Sequence, residues 1–192
     1  MARPKEFDRD DALAAAIEVF ADRGYEGTST EALLKAMGVN RQSLYDTYGS
    51  KRELYLEALQ RYARENTDQI ARDIALGPTP LAGLERGLFG FIERAVGRPD
   101  PCCLGVSAIC EFGLRDADVT AAGAASHAVL ASAVADALER AKLDGEVRAE
   151  IEIGPAADLY LALLAGLKVS ARGGASANRL RQMARLAMQA LI

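Results

Sequence analysis

An all-α fold of about nine helices is the architecture this sequence predicts, and three observations predict it. Half of the 192 residues are hydrophobic, but only 6% are aromatic and none is Trp, a composition suited to closely packed helices. No run of β-branched residues alternates with polar ones between turn signals, so no sheet is expected. Helix starts and stops, by contrast, recur along the chain as capping residues, glycines and prolines. The length allows one large domain or two small ones.

A first helix is expected from about Asp8 to Arg23, its acidic opening residues suited to the positive helix end. Thr28 with Glu31 three residues later has the capping-box pattern and predicts a second helix from about Ser29. Its apolar residues Leu33, Leu34 and Met37 recur at helical spacing until Gly38, which supplies a left-handed turn. Val39 is the expected buried plug of that turn. Asn40 then caps a third helix from about Arg41 to Tyr48, stopped by Gly49. Ser50 and Glu53 form another capping box, and a long helix follows through Leu54, Leu59, Tyr62 and Ile70 to about Ala75, where GPTP breaks it. Five more helices are expected at about Leu81 to Val96, Cys102 to Leu114, Asp118 to Lys142, Pro155 to Arg172 and Ser176 to Leu191, separated by GRPDP, RDAD, LDGEV and RGGAS.

The second and third helices around their glycine have the layout of a DNA-reading helix-turn-helix. With Leu44 and Tyr48 inward, Arg41, Gln42, Ser43, Tyr45 and Thr47 are left on or near the exposed side. Arg41 is the first choice for base reading, because Arg donates a bidentate pair to guanine; Gln42 suits adenine and Ser43 either. Tyr45 offers a hydroxyl to a phosphate, and Lys51 sits in the first turn of the next helix, where amides and ammonium favour an anion. The net charge of −4 and pI of about 5.2 exclude a generally basic coat, so DNA affinity must come from a local patch at Arg41, Lys51 and Arg52, helped by Arg3 and Lys5. A helix pair with a merely solvated polar face is the alternative.

From FDRDDALAAAIEVFADRGYEGTST through GVNRQSLYDTYGSKRELYLEAL, the N-terminal portion closely resembles the DNA-binding domain of the TetR family of bacterial transcriptional regulators. The match covers about the first 60 residues. It rests on the helix ending in Phe20, on Arg23-Gly24-Tyr25, the Thr28-Ser29-Thr30 start, the Gly38-Val39 turn, and Ser43-Leu44-Tyr45 through Tyr48-Gly49-Ser50-Lys51. Thr30 joins the expected DNA contacts through this match. Family members often carry an aromatic residue and a histidine where this chain has Asp46 and Thr47; Asp46 would repel a phosphate and is left out of the expected contacts.

The resemblance implies a DNA-binding domain at 1–51 and a helical effector-binding and dimerisation domain at 52–192. It implies a homodimer, a repressor on an inverted-repeat operator, released by a small-molecule effector that prefers the DNA-incompetent state; a hundredfold preference is about 2.7 kcal/mol of coupling. The last two helices carry the apolar stripes Leu159, Leu163, Leu164, Leu167 and Leu180, Met183, Leu186, Leu191. These suit either an intramolecular core or, as the resemblance implies, a four-helix bundle with a second copy, with Arg172, Arg179, Arg181 and Arg185 at its rim. Phe89, Ile92, Cys103, Ser107, Cys110, His127 and Tyr160 are the effector-pocket candidates, chosen for mixed polarity on otherwise apolar helices. A mainly apolar organic effector is expected.

Two other readings stay open: a thiol- or metal-responsive sensor on the same scaffold, and a helical interaction module with a degenerate reading head. Cys103 and Cys110 are seven apart and share a helix face, but a cytosolic cysteine is usually a small buried hydrophobe, and with Cys102 and the single histidine, His127, the set makes a poor metal site. Gly83, Gly87 and Gly90 follow no strand, so they predict close helix packing rather than a phosphate loop. Glu111, Asp116 and Asp118 read as a solvated helix end and loop. No catalytic constellation stands out, so neither an enzyme nor a cofactor or metal is expected. The N-terminus is charged from Arg3 and has no signal-peptide core, and the apolar stretch Ala156 to Val169 is broken by Asp158 and Lys168 and falls short of the roughly 20 residues that span a bilayer. A cytoplasmic protein without a membrane partner is expected.

Overall fold

The computed structural model describes residues 7–97 and 103–192. Among them are nine helices: α1 (Arg9–Arg23), α2 (Thr30–Met37), α3 (Arg41–Tyr48), α4 (Lys51–Ala75), α5 (Pro80–Val96), α6 (Leu104–Phe112), α7 (Ala117–Leu143), α8 (Ile153–Arg172) and α9 (Ala177–Gln189). No strand occurs among the described residues. The expected positive charges Arg3 and Lys5, and Cys102 at the expected start of the sixth helix, lie outside the described residues. The chain forms two compact units, the residues up to Ala63 with Cys103–Ala124, and the remainder.

In the first unit the local signals act largely as the sequence predicts. Asp8 caps α1 by accepting the amides of Asp10 and Asp11. The cap of α2 is Ser29, whose Oγ accepts the Ala32 amide at 3.1 Å, and not Thr28. Thr28 is buried, and its Oγ1 donates to the Gly24 carbonyl at 2.6 Å, so the helix begins one residue later than expected. Gly38 ends α2 at φ 67° and ψ 25°, a left-handed conformation that Gly adopts without a Cβ penalty. Val39 in that turn is half-buried. Asn40 accepts the Ser43 amide at 2.8 Å, and Ser50 the Glu53 amide at 3.1 Å. Leu13, Phe20, Leu33, Leu44, Leu54 and Tyr55 form the core of this unit. Phe20, Tyr25, Tyr55 and Phe112 add a cluster of rings, with Tyr55 5.0 Å from both Phe20 and Tyr25.

The second unit is built on α5, α8 and α9, with Ile74, Leu84, Leu88, Ile92, Leu138 and Leu167 in its core. Its α5 glycines permit close approach, as expected: a Cβ on Gly87 would lie 2.6 Å from the Tyr160 hydroxyl, one on Gly90 2.5 Å from Asp73 Oδ2, and one on Gly83 would meet the Ile74 carbonyl. The apolar stripes of α8 and α9 divide. Leu164, Leu167, Leu180 and Leu191 turn inward, whereas Leu159, Val169, Met183 and Leu186 are exposed on the single chain. The arginines expected at a rim divide too: Arg181 pairs with Glu93, and the Arg185 guanidinium lies 5.3 Å from the Phe89 ring centre, while Arg172 and Arg179 are exposed. By length and composition alone, α7 and α8 could each cross a membrane.

Candidate nucleic-acid interface

Helix α3 presents the polar face the sequence leads one to expect, with a different centre. Leu44 and Tyr48 are buried, and the Tyr48 hydroxyl donates to the Arg9 carbonyl at 3.0 Å, pinning α3 to the start of α1. Burial raises the Tyr48 phenol above its ordinary value. Successive α-helical residues turn by about 100°, so Gln42 and Asp46 fall within about 20° of the direction opposite Leu44, Ser43 and Tyr45 lie about 80° from it, and Arg41 and Thr47 about 120° from it. Gln42, Tyr45 and Asp46 are exposed, Ser43 and Thr47 half-buried, and Arg41, the first residue of the helix, is exposed as well. Thr30, in the first turn of α2, is half-buried as well.

Two carboxylates hold the residues expected to meet base edges. Arg41 Nη2 donates to Glu31 Oε1 at 2.5 Å across the turn, and Gln42 Nε2 donates to Asp46 Oδ1 at 2.7 Å along α3. Glu31 is held below the usual carboxylate range by its own backbone amide at the helix start and by Arg41. The sequence reading leaves Asp46 out of the expected contacts; its bond to Gln42 follows from their spacing of four, since Gln and Asp at i and i+4 on a helix face hydrogen-bond.

Lys51 opens α4 with its Nζ 4.2 Å from the Tyr25 ring centre, a cation–π contact that holds the ammonium beside the α1–α2 turn. Arg52, expected in the cationic patch, is taken up elsewhere: it donates to both oxygens of Asp116 at 2.8 Å and to Asp118 at 2.9 Å. Those bonds hold the Asp116 carboxyl down to about 2. Glu111, at the end of α6, accepts the backbone amides of Tyr25 at 2.9 Å and Glu26 at 3.3 Å. The three acidic residues expected to be solvated are therefore the partners that fasten the α1–α2 turn and the start of α4. Their targets lie 64 to 86 residues away in sequence, beyond any local pattern.

The effector-pocket candidates fall in both units. In the first, Cys103 and Ser107 are half-buried and Cys110 is exposed. In the second, Ile92 lies fully in the core, Tyr160 donates its hydroxyl to the Leu84 carbonyl at 2.9 Å, Phe89 is half-buried against Arg185, and His127 is exposed. Burial drives the Tyr160 phenol far above its ordinary value. Among the described residues no three His, Cys, Asp or Glu side chains cluster as a metal site.

The family model for bacterial regulatory proteins of the tetR family matches residues 12–58, from α1 into α4. The HTH-type transcriptional regulator YezE of Bacillus subtilis is 36% identical over 152 residues, covering 78% of each chain. The HTH-type transcriptional repressor ComR of Escherichia coli is 26% identical over 95% of this chain and 88% of its own. Among solved structures, a cysteine-substituted form of the regulator CifR, in complex with 26-bp operator DNA, superposes with a TM-score of 0.85 at 31% identity, covering 98% of this chain and 99% of that one. The chain belongs to the TetR family of bacterial transcriptional regulators.

Proposed function

We propose that this protein is a cytoplasmic, non-enzymatic repressor that binds an inverted-repeat operator as a homodimer and is released by a small organic effector. The observation that carries the reading is the face of α3: a capped helix, pinned by two buried residues, with exposed Arg41, Gln42 and Tyr45. Arg41, Gln42 and Ser43 would meet base edges, while Thr30, Tyr45, Thr47 and Lys51 would meet the backbone. ComR is named as a repressor and CifR is held on operator DNA, which supports the same role here. In this reading residues 1–51 read DNA and 52–192 carry effector binding and dimerisation, with α6 fastened to the reading head through Glu111. The outer residues Leu159, Val169, Met183 and Leu186 would pair α8 and α9 with their copies, and two heads so joined suit successive major grooves about 34 to 36 Å apart. The pocket candidates Phe89, Ile92, Cys103, Ser107, Cys110, His127 and Tyr160 stand as sites for effector-binding substitutions. Selection from random duplex DNA at physiological salt tests the reading: an inverted repeat is expected, and no enriched sequence would overturn it.

A thiol-responsive regulator is the second reading. One observation favours it: Cys110 is an exposed free thiol next in sequence to Glu111, which holds the α1–α2 turn. Alkylation of Cys110 that leaves operator affinity unchanged would dismiss it.

A further inference from the structure

Of the two residues nearest the centre of the exposed face of α3, one is an acid. Asp46 and Gln42 both lie about 20° from the direction opposite Leu44, both are exposed, and the bond of 2.7 Å between them joins them along the helix. That bond fixes which way the Gln42 amide points: Nε2 faces Asp46, while Oε1 and the second N–H stay free. It occupies one lone pair of one Asp46 oxygen and leaves the rest of the carboxylate open. An ionised carboxylate only accepts hydrogen bonds. A phosphate therefore repels it, as do the O6 and N7 of guanine and the O4 of thymine. Cytosine instead presents its N4 amino group in the major groove with only C5–H beside it on its own ring, whereas adenine sets the acceptor N7 beside its donor N6.

We propose that Asp46 is a specificity-determining residue that accepts a hydrogen bond from the N4 amino group of a cytosine in each half-site. The proposal rests on the docking of α3 in the reading above. The carboxylate then does two things. It makes one base pair obligatory, and it lowers the affinity of the head for DNA in general, because its charge opposes every phosphate it passes. This is a use for an acid on a DNA-facing helix that avoids the phosphate clash: the side chain is aimed at the floor of the groove, and Arg41 and Lys51, away from the centre of the face, supply attraction.

The test is parallel selection from random duplex DNA with the wild-type protein, Asp46→Ala and Gln42→Ala, followed by titration of the selected operator and a scrambled duplex at two salt concentrations. Wild type should require cytosine at one position per half-site, with fivefold or greater discrimination, roughly the lower end for a well-placed side-chain contact. Asp46→Ala should lose that preference alone, bind the scrambled duplex several-fold more tightly, and show a steeper salt dependence. Gln42→Ala should lose preference at a different position. The proposal is overturned if Asp46→Ala selects the wild-type sequence undiminished, if it weakens operator and scrambled duplex alike, or if both variants lose the same position, which would make Asp46 only a prop for Gln42. Failure of wild type to enrich any inverted repeat would overturn the docking itself and is read separately from these outcomes.

Discussion

Replacing Gly24 by Ala should destabilise the fold by several kcal/mol, for two separable reasons. Gly24 sits at φ 71° and ψ −177°, a region essentially confined to glycine, where an L residue costs about 1 to 3 kcal/mol. A Cβ there would also lie 2.8 Å from Glu111 Cδ, so the carboxylate would have to leave the part-buried Tyr25 amide. A hydrogen bond to a charged group of that kind is worth roughly 1.5 to 3 kcal/mol. The Glu26 amide is exposed and would return to water at little cost. Together these give about 2.5 to 6 kcal/mol. Urea unfolding of wild type, Gly24→Ala, Glu111→Ala and the double variant measures it, at one protein concentration because association adds to apparent stability. Once Glu111 is truncated, Gly24→Ala should cost only the backbone part, leaving a coupling of about 1.5 to 3 kcal/mol. A Gly24→Ala variant within about 0.5 kcal/mol of wild type, or an additive cycle, refutes the reasoning.

Asp116 has a folded value of about 2 against an ordinary 3.8, so its pairing with Arg52 stabilises the fold fully above the ordinary value and is lost as the pH falls through the folded one. The difference in urea midpoint between wild type and Asp116→Asn should therefore hold steady from about pH 7 to 5 and close towards pH 2; a gap unchanged at about pH 2.5 refutes the pairing. Leu186 is 70% exposed on the single chain, so Leu186→Glu should leave helix content intact and shift sedimentation from dimer to monomer; a persisting dimer would move the interface elsewhere. Lys51→Ala should weaken all duplexes alike and reduce the salt slope by about 1 per head, whereas Arg41→Ala should relax one base position per half-site. Parent-like binding by both would sink the proposed docking.

What the sequence disclosed was what a few neighbouring residues decide. Asn40, Ser50 and Gly38 set helix ends through bonds and dihedrals local to them, and the glycines of α5 announced close packing by their spacing. Thr28 and Ser29 show the limit of such signals. Both are hydroxyl residues at a helix start, and which one caps depends on a bond from Thr28 back to Gly24. The apolar residues of α8 and α9 were recognisable as a group, but their division into inner and outer sets depends on where α5 lies. Glu111, Asp116 and Asp118 were least legible, because an acidic residue near a helix end looks solvated until its distant partner is known. Asp46 shows a different limit: its charge can be weighed against phosphate from the sequence alone, whereas its bond to Gln42 exists only once α3 is formed.

The grip of Glu111 on the α1–α2 turn also orders events in time. The two ends of that bond are 86 residues apart, and a ribosome adding about 5 to 20 residues per second needs roughly 4 to 17 seconds to travel between them. During that interval every residue of α1, α2 and α3 has been synthesised, yet the Tyr25 and Glu26 amides, the Arg52 guanidinium and the exposed side of the Tyr25–Tyr55 ring pair still await Glu111, Asp116 and Phe112. The earlier-synthesised segment is thus among the later parts to be finished, and a fragment ending at Ala63 would carry α3 without the carboxylates that fasten the α1–α2 turn and the start of α4.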